Sequence, residues 1–207
     1  TEKLPEYNFI GVGREDGKAK GEFSPIFYKK NKFTVMKSGY FWLSGTPEVP
    51  SKGWDAACER IATWAQLKDN ASGEIIFVLN THLDHEGTMA RQKSVELLRK
   101  NTEMLSEGFP QIIMGDFNAD PESTVIKQML MRSNSNELFN SKAVAKKVYG
   151  ANWTFNGFGS VALKDRPIID YIFINKAVRV KVHIIAPETA NGKFLSDHSA
   201  VFIKVSI

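Results

Sequence analysis

Four short stretches carry side chains suited to phosphoryl chemistry: Asn80-Thr81-His82, Gly115-Asp116-Phe117-Asn118, Asp170-Tyr171 and Ser196-Asp197-His198. Each follows, or lies within, a strongly apolar run that has little local reason to hold it. Strand ends are where rigid scaffolds present reactive groups, and four of them converging make an assembled centre. Residues two apart in an extended chain point to one side, so Asp116 and Asn118 are expected together, with Phe117 turned into the core. A carboxylate beside a carboxamide can position or deprotonate water and donate to a phosphate oxygen. An Asx-rich turn before a helix explains the same residues without chemistry. Asp170, in a buried-looking strand, needs a partner for its charge; hydrogen-bonded to His198 it would fix the imidazole tautomer and support its cationic form. The plainer alternative is a Ser-Asp turn followed by an incidental histidine. His82 and His85 have no recognised zinc spacing.

The elements that must position these residues are mostly short β-type runs broken by Gly, Pro, Asn and Asp. Residues 24–30 (SPIFYKK) and 33–37 read as a hairpin joined at Lys30-Asn31. Residues 61–68 and 74–82 read as a second pair, turning through Asn70-Ala71-Ser72-Gly73. Residues 87–107 change to helical period, with Ala90, Ser94, Leu97, Leu98, Met104 and Leu105 on one face, and end near Gly108. Residues 111–115 (QIIMG) form a short strand of the kind buried on both faces. Asp120-Pro121-Glu122 reads as a capped helix start. Residues 168–175, 179–186 and 199–207 complete the strands. Strands with interspersed helices fit a layered α/β sandwich.

At 207 residues the chain is one domain, 1–207, with 43% hydrophobic and 24% charged residues. The net charge of +4 suits a polyanionic partner but does not demand one. The single cysteine, Cys58, excludes an internal disulfide framework and a cysteine-based zinc site. No apolar run is long enough to span a bilayer. Trp42, Trp54 and Trp64 read as core, whereas Trp153, beside Asn152, is expected to face the cleft.

Taken together and in order, Asn-Thr-His, Gly-Asp-Phe-Asn, Ile-Asp-Tyr-Ile and Ser-Asp-His resemble the endonuclease/exonuclease/phosphatase family. The likeness is closer to bacterial members near its deadenylase-like branch, through Phe41-Trp42-Leu43-Ser44, Thr46-Pro47, Gly53-Trp54-Asp55-Ala56, Arg60, Trp64 and Thr154-Phe155-Asn156-Gly157-Phe158. The resemblance implies a deoxyribonuclease-like, two-sheet, four-layer α/β sandwich using Mg²⁺ or Mn²⁺. It implies His82 as phosphate contact or proton donor, Asp116 as the group positioning water, and Asn118 as the amide on the scissile phosphate. It further implies Asp170 orienting His198, His198 as the catalytic histidine, and Asp197 near the metal. Asn80 and Trp153 are expected to contact substrate, with Arg166 as a further candidate. The expected activity is phosphodiester hydrolysis by a nuclease on nucleic acid; the alternative is a phosphatase or phosphodiesterase acting on a sugar, inositol or lipid phosphate. A binding module without catalysis is the reading from another class.

Two departures from the family pattern bear on activity. No Gln-Glu pair occurs, and Glu2, Glu6, Glu15 and Glu22 end no apolar strand, so the family's metal-binding glutamate has no match. The chain is therefore expected to be an N-terminally shortened copy lacking about 50 residues, poor in metal, and able to form a homodimer through an exposed sheet edge. The position two before Asp170, often Arg in relatives, is Ile168. Arg166 lies out of register and reads as a solvated loop charge, with a substrate phosphate as the alternative contact.

Overall fold

The computed structural model describes residues 3–132 and 137–207. In chain order the strands are β1 (Tyr7–Ile10), β2 (Ile26–Lys29), β3 (Phe33–Trp42), β4 (Ile61–Asp69), β5 (Ile75–His82), β6 (Gln111–Asp116), β7 (Leu138–Asn140), β8 (Lys147–Gly150), β9 (Asp170–Asn175), β10 (Arg179–Ile185), β11 (Thr189–Ala190), β12 (Lys193–Phe194) and β13 (Val201–Ser206). Helix α1 (Thr88–Leu105) lies between β5 and β6. The shorter α2 (Thr124–Met129) and α3 (Ser141–Val144) flank β7.

Six strands form one mixed sheet in the order β3-β4-β5-β6-β9-β7. Only β5 and β6 are parallel within it, because the connection between them crosses over through α1. Alternation sends Phe77, Leu79, Ile113 and Phe173 to one face, where they pack with Val95 and Leu98 of α1 and with Phe117. Ile172 and Ile174 point the other way and meet Val178 and Val180, with Val201, Ile203 and Val205 against them. Val180, Val201, Ile203 and Val205 belong to a three-stranded sheet, β13-β10-β8, so the two sheets share a core. The result is an α/β fold with mixed sheets.

Strands β4 and β5 pair and turn as expected, with Gly73 at φ +79°. The hairpin expected at Lys30-Asn31 does not form. β2 pairs with β1, and β3 runs on to Trp42 and takes β4 as its partner. Its length decides the outcome: ten residues satisfy their backbone along a nine-residue neighbour, which the four residues of β2 cannot supply. Asn70 holds the start of β3 in place, accepting from Thr34 Oγ1 at 2.7 Å.

Two expected details of the helices also differ. Ala90, Ser94 and Leu98 are buried, but Met104 is 63% exposed, because in the last turn Thr102 and Leu105 take the core-facing positions and Met104 lies off that stripe. The cap of α2 is Ser123, whose Oγ accepts from Ile126 N at 3.3 Å, and not Asp120, whose carbonyl accepts from Ser123 N. Helix α1 has no capping side chain of its own. Asp55, in the loop before β4, accepts from Met89 N at 3.2 Å and Ala90 N at 2.6 Å.

Gly115 allows β5 and β6 to approach beside the site. It has φ +149°, and a Cβ there would lie 1.9 Å from Thr81 O. Gly115→Ala is expected to destabilise the protein by more than ~1 kcal/mol, read by urea unfolding. An unchanged midpoint would show that the strands tolerate the added carbon.

Candidate active site

His82 and Asp116 are the last residues of neighbouring strands β5 and β6, paired in register. Asp170, the first residue of β9, is opposite Asp116. His198 precedes β13 and is tied back by a bridge to Phe155, whose ring is 4.9 Å from the imidazole. Three expected strand ends and one preceding loop thus bring His82, Asp116, Asp170 and His198 to one cavity of about 430 Å³. Asn80 also lines it, its amide nitrogen donating to Pro25 O at 2.9 Å.

Within the cavity, His198 Nδ1 lies 2.8 Å from Asp170 Oδ2. The carboxylate can only accept, so Nδ1 carries the proton and Nε2 faces Asp116 Oδ2 at 3.9 Å. The hydrogen bond to Asp170 holds the His198 pKa above its ordinary value, against the opposing effect of burial. His82 Nε2 lies 3.3 Å from Asp116 Oδ2. Burial, then the positive charge of Arg60, push His82 down to about 4, so it is neutral near pH 7. Burial, then the charge of Asp170, push Asp116 up to about 6. The site therefore holds two carboxylates that resist being charged together.

Such a pair suits a hard divalent cation, which neutralises both and prefers oxygen donors. Ligand atoms of Asp116, Asp170 and His198 all lie within 4.8 Å of one another. The group Cys58, Asp84 and His85 is similarly close, but Arg60 already fills it. Arg60 Nε donates to Asp84 Oδ2 at 3.3 Å and its Nη2 lies 2.8 Å from His85 Nδ1.

Four expected site residues lie elsewhere. Asn118 has φ +46°, which turns it off the line of the strand. Its amide donates to Leu83 O at 3.0 Å, and it lines a separate pocket with Arg91 and Asp120. The expected same-side arrangement of Asp116 and Asn118 thus does not occur, although Phe117 is fully buried as foreseen. Asp197 does not line the cavity; its Oδ1 accepts from Ser196 Oγ at 3.1 Å. Arg166 is no solvated charge: its side chain is 8% exposed and its Nη1 bonds Glu188 at 2.6 and 2.8 Å. Trp153 is against Arg166 and faces a second cavity. Trp42 is buried as expected, but Trp54 is 40% exposed.

Sequence reasoning missed Thr154 and Phe155 as supports of the site. Thr154 Oγ1 accepts from Ile169 N at 2.9 Å and Asp170 N at 3.0 Å, fixing where β9 begins. A Thr in a polar connection, two residues after Asn152, was the faint signal available. Arg60, 4% exposed immediately before the apolar β4, was another.

Comparison with known proteins agrees with this architecture. The model of the Endonuclease/Exonuclease/phosphatase family matches residues 13–198, and the chain belongs to that family. It is similar to the endonuclease/exonuclease/phosphatase of Bacteroides vulgatus, with 39% identity and a TM-score of 0.93, covering 100% of this chain and 78% of that one. It is also similar to a mannosyl-6-phosphatase of Bacteroides thetaiotaomicron, with 36% identity and a TM-score of 0.90, covering 100% of this chain and 79% of that one. The uncharacterized protein L388 of Acanthamoeba polyphaga mimivirus is 31% identical over 124 residues, covering 58% of this chain and 46% of the viral protein. The chain thus spans under half the length of that viral relative. The expected likeness to bacterial members is borne out. The family uses divalent metals, and no helix among the described residues is long and apolar enough to cross a membrane.

Proposed function

We propose that the protein hydrolyses a phosphomonoester of a sugar or similar polyol. The observation that carries this reading is the His198–Asp170 hydrogen bond beside Asp116 in one cavity, in a chain 36% identical to a mannosyl-6-phosphatase over its whole length. Asp116 positions water and takes its proton. His198, its Nδ1 held by Asp170, turns Nε2 toward a non-bridging phosphate oxygen and donates as charge develops there. Neutral His82 donates from the other side, and Asn80 borders the phosphate. Asp116 and Asp170 are the residues that would hold Mg²⁺ or Mn²⁺, which when bound neutralises charge on the phosphate. Asn118 acts through the Leu83 carbonyl rather than on the phosphate, and Asp197 shapes the turn that carries His198.

The finer architecture we propose is the four-layer sandwich, whose outer layer would cover the exposed row Tyr149, Ile184 and Phe202 on the three-stranded sheet. The nuclease reading rests on the family resemblance, with which the net charge of +4 is compatible. One assay separates the two. With Mg²⁺, phosphate release from D-mannose 6-phosphate is expected to exceed cleavage of a single-stranded oligonucleotide at least tenfold. Oligonucleotide cleavage without release from any phosphomonoester would overturn the proposal.

A further inference from the structure

A second cavity, of about 320 Å³, opens where β8 and β10 end and the approach to β13 begins. Trp153, Ala151, Pro187, Glu188 and Ser199 form much of its wall. Ser199 also lines the active-site cavity and is the wall residue that the two spaces share. It is 3% exposed, and among the described residues its Oγ is buried with no hydrogen-bond partner. Of the side-chain atoms so placed, it is the one that borders both cavities, where a polar group of a ligand could satisfy it.

Trp153 is fixed before any ligand arrives. Its Nε1 donates to Glu188 Oε2 at 3.0 Å, and the Arg166 guanidinium lies 5.6 Å from the ring centroid. Arg166 in turn bonds both Glu188 oxygens and donates to Val161 O at 3.0 Å. The Arg166–Glu188 pair leaves the cavity without net charge, which disfavours a second phosphate or a cation as occupant. An immobilised aromatic plane beside hydroxyl and carboxylate oxygens instead suits a polyhydroxylated ring, apolar on its C–H face and polar at its edge. A triad that merely braced the β11–β12 hairpin would need neither the empty space nor the unpartnered hydroxyl.

From these features we infer that the second cavity receives the sugar ring of the phosphomonoester, with Trp153 as its stacking plane and the phosphate in the adjoining cavity. This assignment rests on the sugar-phosphate reading above. It also couples substrate to chemistry: Thr154, next in sequence, positions Asp170, and Phe155 packs on His198.

The test uses the full chain carrying His198→Asn, which blocks turnover and permits equilibrium binding. By calorimetry, D-mannose 6-phosphate is expected to bind at least tenfold more tightly than inorganic phosphate and more tightly than adenosine 5′-monophosphate, and to quench tryptophan fluorescence. Adding Trp153→Phe should remove the quench. Adding Trp153→Ala should bring sugar-phosphate affinity down to that of inorganic phosphate while leaving the latter within twofold, which also reports that the variant is folded. Equal affinity of the parent for the two ligands, a quench surviving Trp153→Phe, or tighter binding of the nucleotide would overturn the assignment. Failure of the hydrolase reading is seen separately, as absence of phosphate release by the unmutated chain while these binding measurements still resolve.

Discussion

Replacing His198 by Ala is expected to lower kcat toward a phosphomonoester by about 10²–10⁴-fold, the usual contribution of a positioned acid or base. Asp170→Asn tests the same dyad through pH. Above about pH 6 Asp116 is ionised and can take a proton from water, so the rate falls as pH drops through about 6. His198 donates in its protonated form, and Asp170 raises its pKa, so the rate falls again as pH rises through that elevated value. Removing the Asp170 charge lowers the pKa of both groups, so the alkaline limb set by His198 and the acid limb set by Asp116 are both expected to move to lower pH. A pH–rate profile of Asp170→Asn with an unmoved alkaline limb would dissociate His198 from that limb.

Asp84→Asn should have the largest effect on stability, a loss of about 3–5 kcal/mol in urea unfolding, as for a buried ion pair deprived of one partner. Asp84 is 1% exposed, and its oxygens accept from Gly87 N at 2.7 Å, Glu86 N at 3.0 Å, Ala57 N at 3.1 Å and Arg60 Nε at 3.3 Å. Burial opposes its charge, but these donors outweigh burial and hold its pKa well below the ordinary carboxylate value. An amide would leave Arg60, itself 4% exposed, uncompensated and would turn N–H groups toward N–H groups. Because the folded pKa is depressed, this stabilisation is full above the unfolded pKa of ~3.9 and is lost as pH falls through the folded value. The parent should therefore weaken on acidification below about pH 4, and the variant should lack that part of the decline. A loss under ~1 kcal/mol would mean that the loop relaxes around Arg60.

The sequence disclosed what depends on local pattern. Alternation and apolar runs marked β4, β5, β6 and β9, and the polar residues closing those runs were already readable as a site. Long-range choices were hidden. Nothing local to residues 26–37 says that β3 prefers β4 to β2, because the deciding strand is 24 residues beyond Lys37. Asn118 escaped because a strand rule fails once φ turns positive. Arg166 escaped because its partner, Glu188, is 22 residues away in a segment with no pattern of its own. The supporting role of Thr154 left only a faint local signal for the same reason: its hydroxyl serves backbone groups 15 and 16 residues on.

The remote cap on α1 sets an order of assembly. A helix closed by its own Ser or Asp can begin winding at its first turn, whereas here the acceptor for Met89 and Ala90 sits on Asp55, 34 and 35 residues upstream. Bringing those segments together carries the entropy of closing a long loop, and β4 and β5 lie inside that loop. Winding of α1 is therefore expected to start nearer its middle, with its leading turn locking after the β4–β5 ribbon has drawn the loop before it into place.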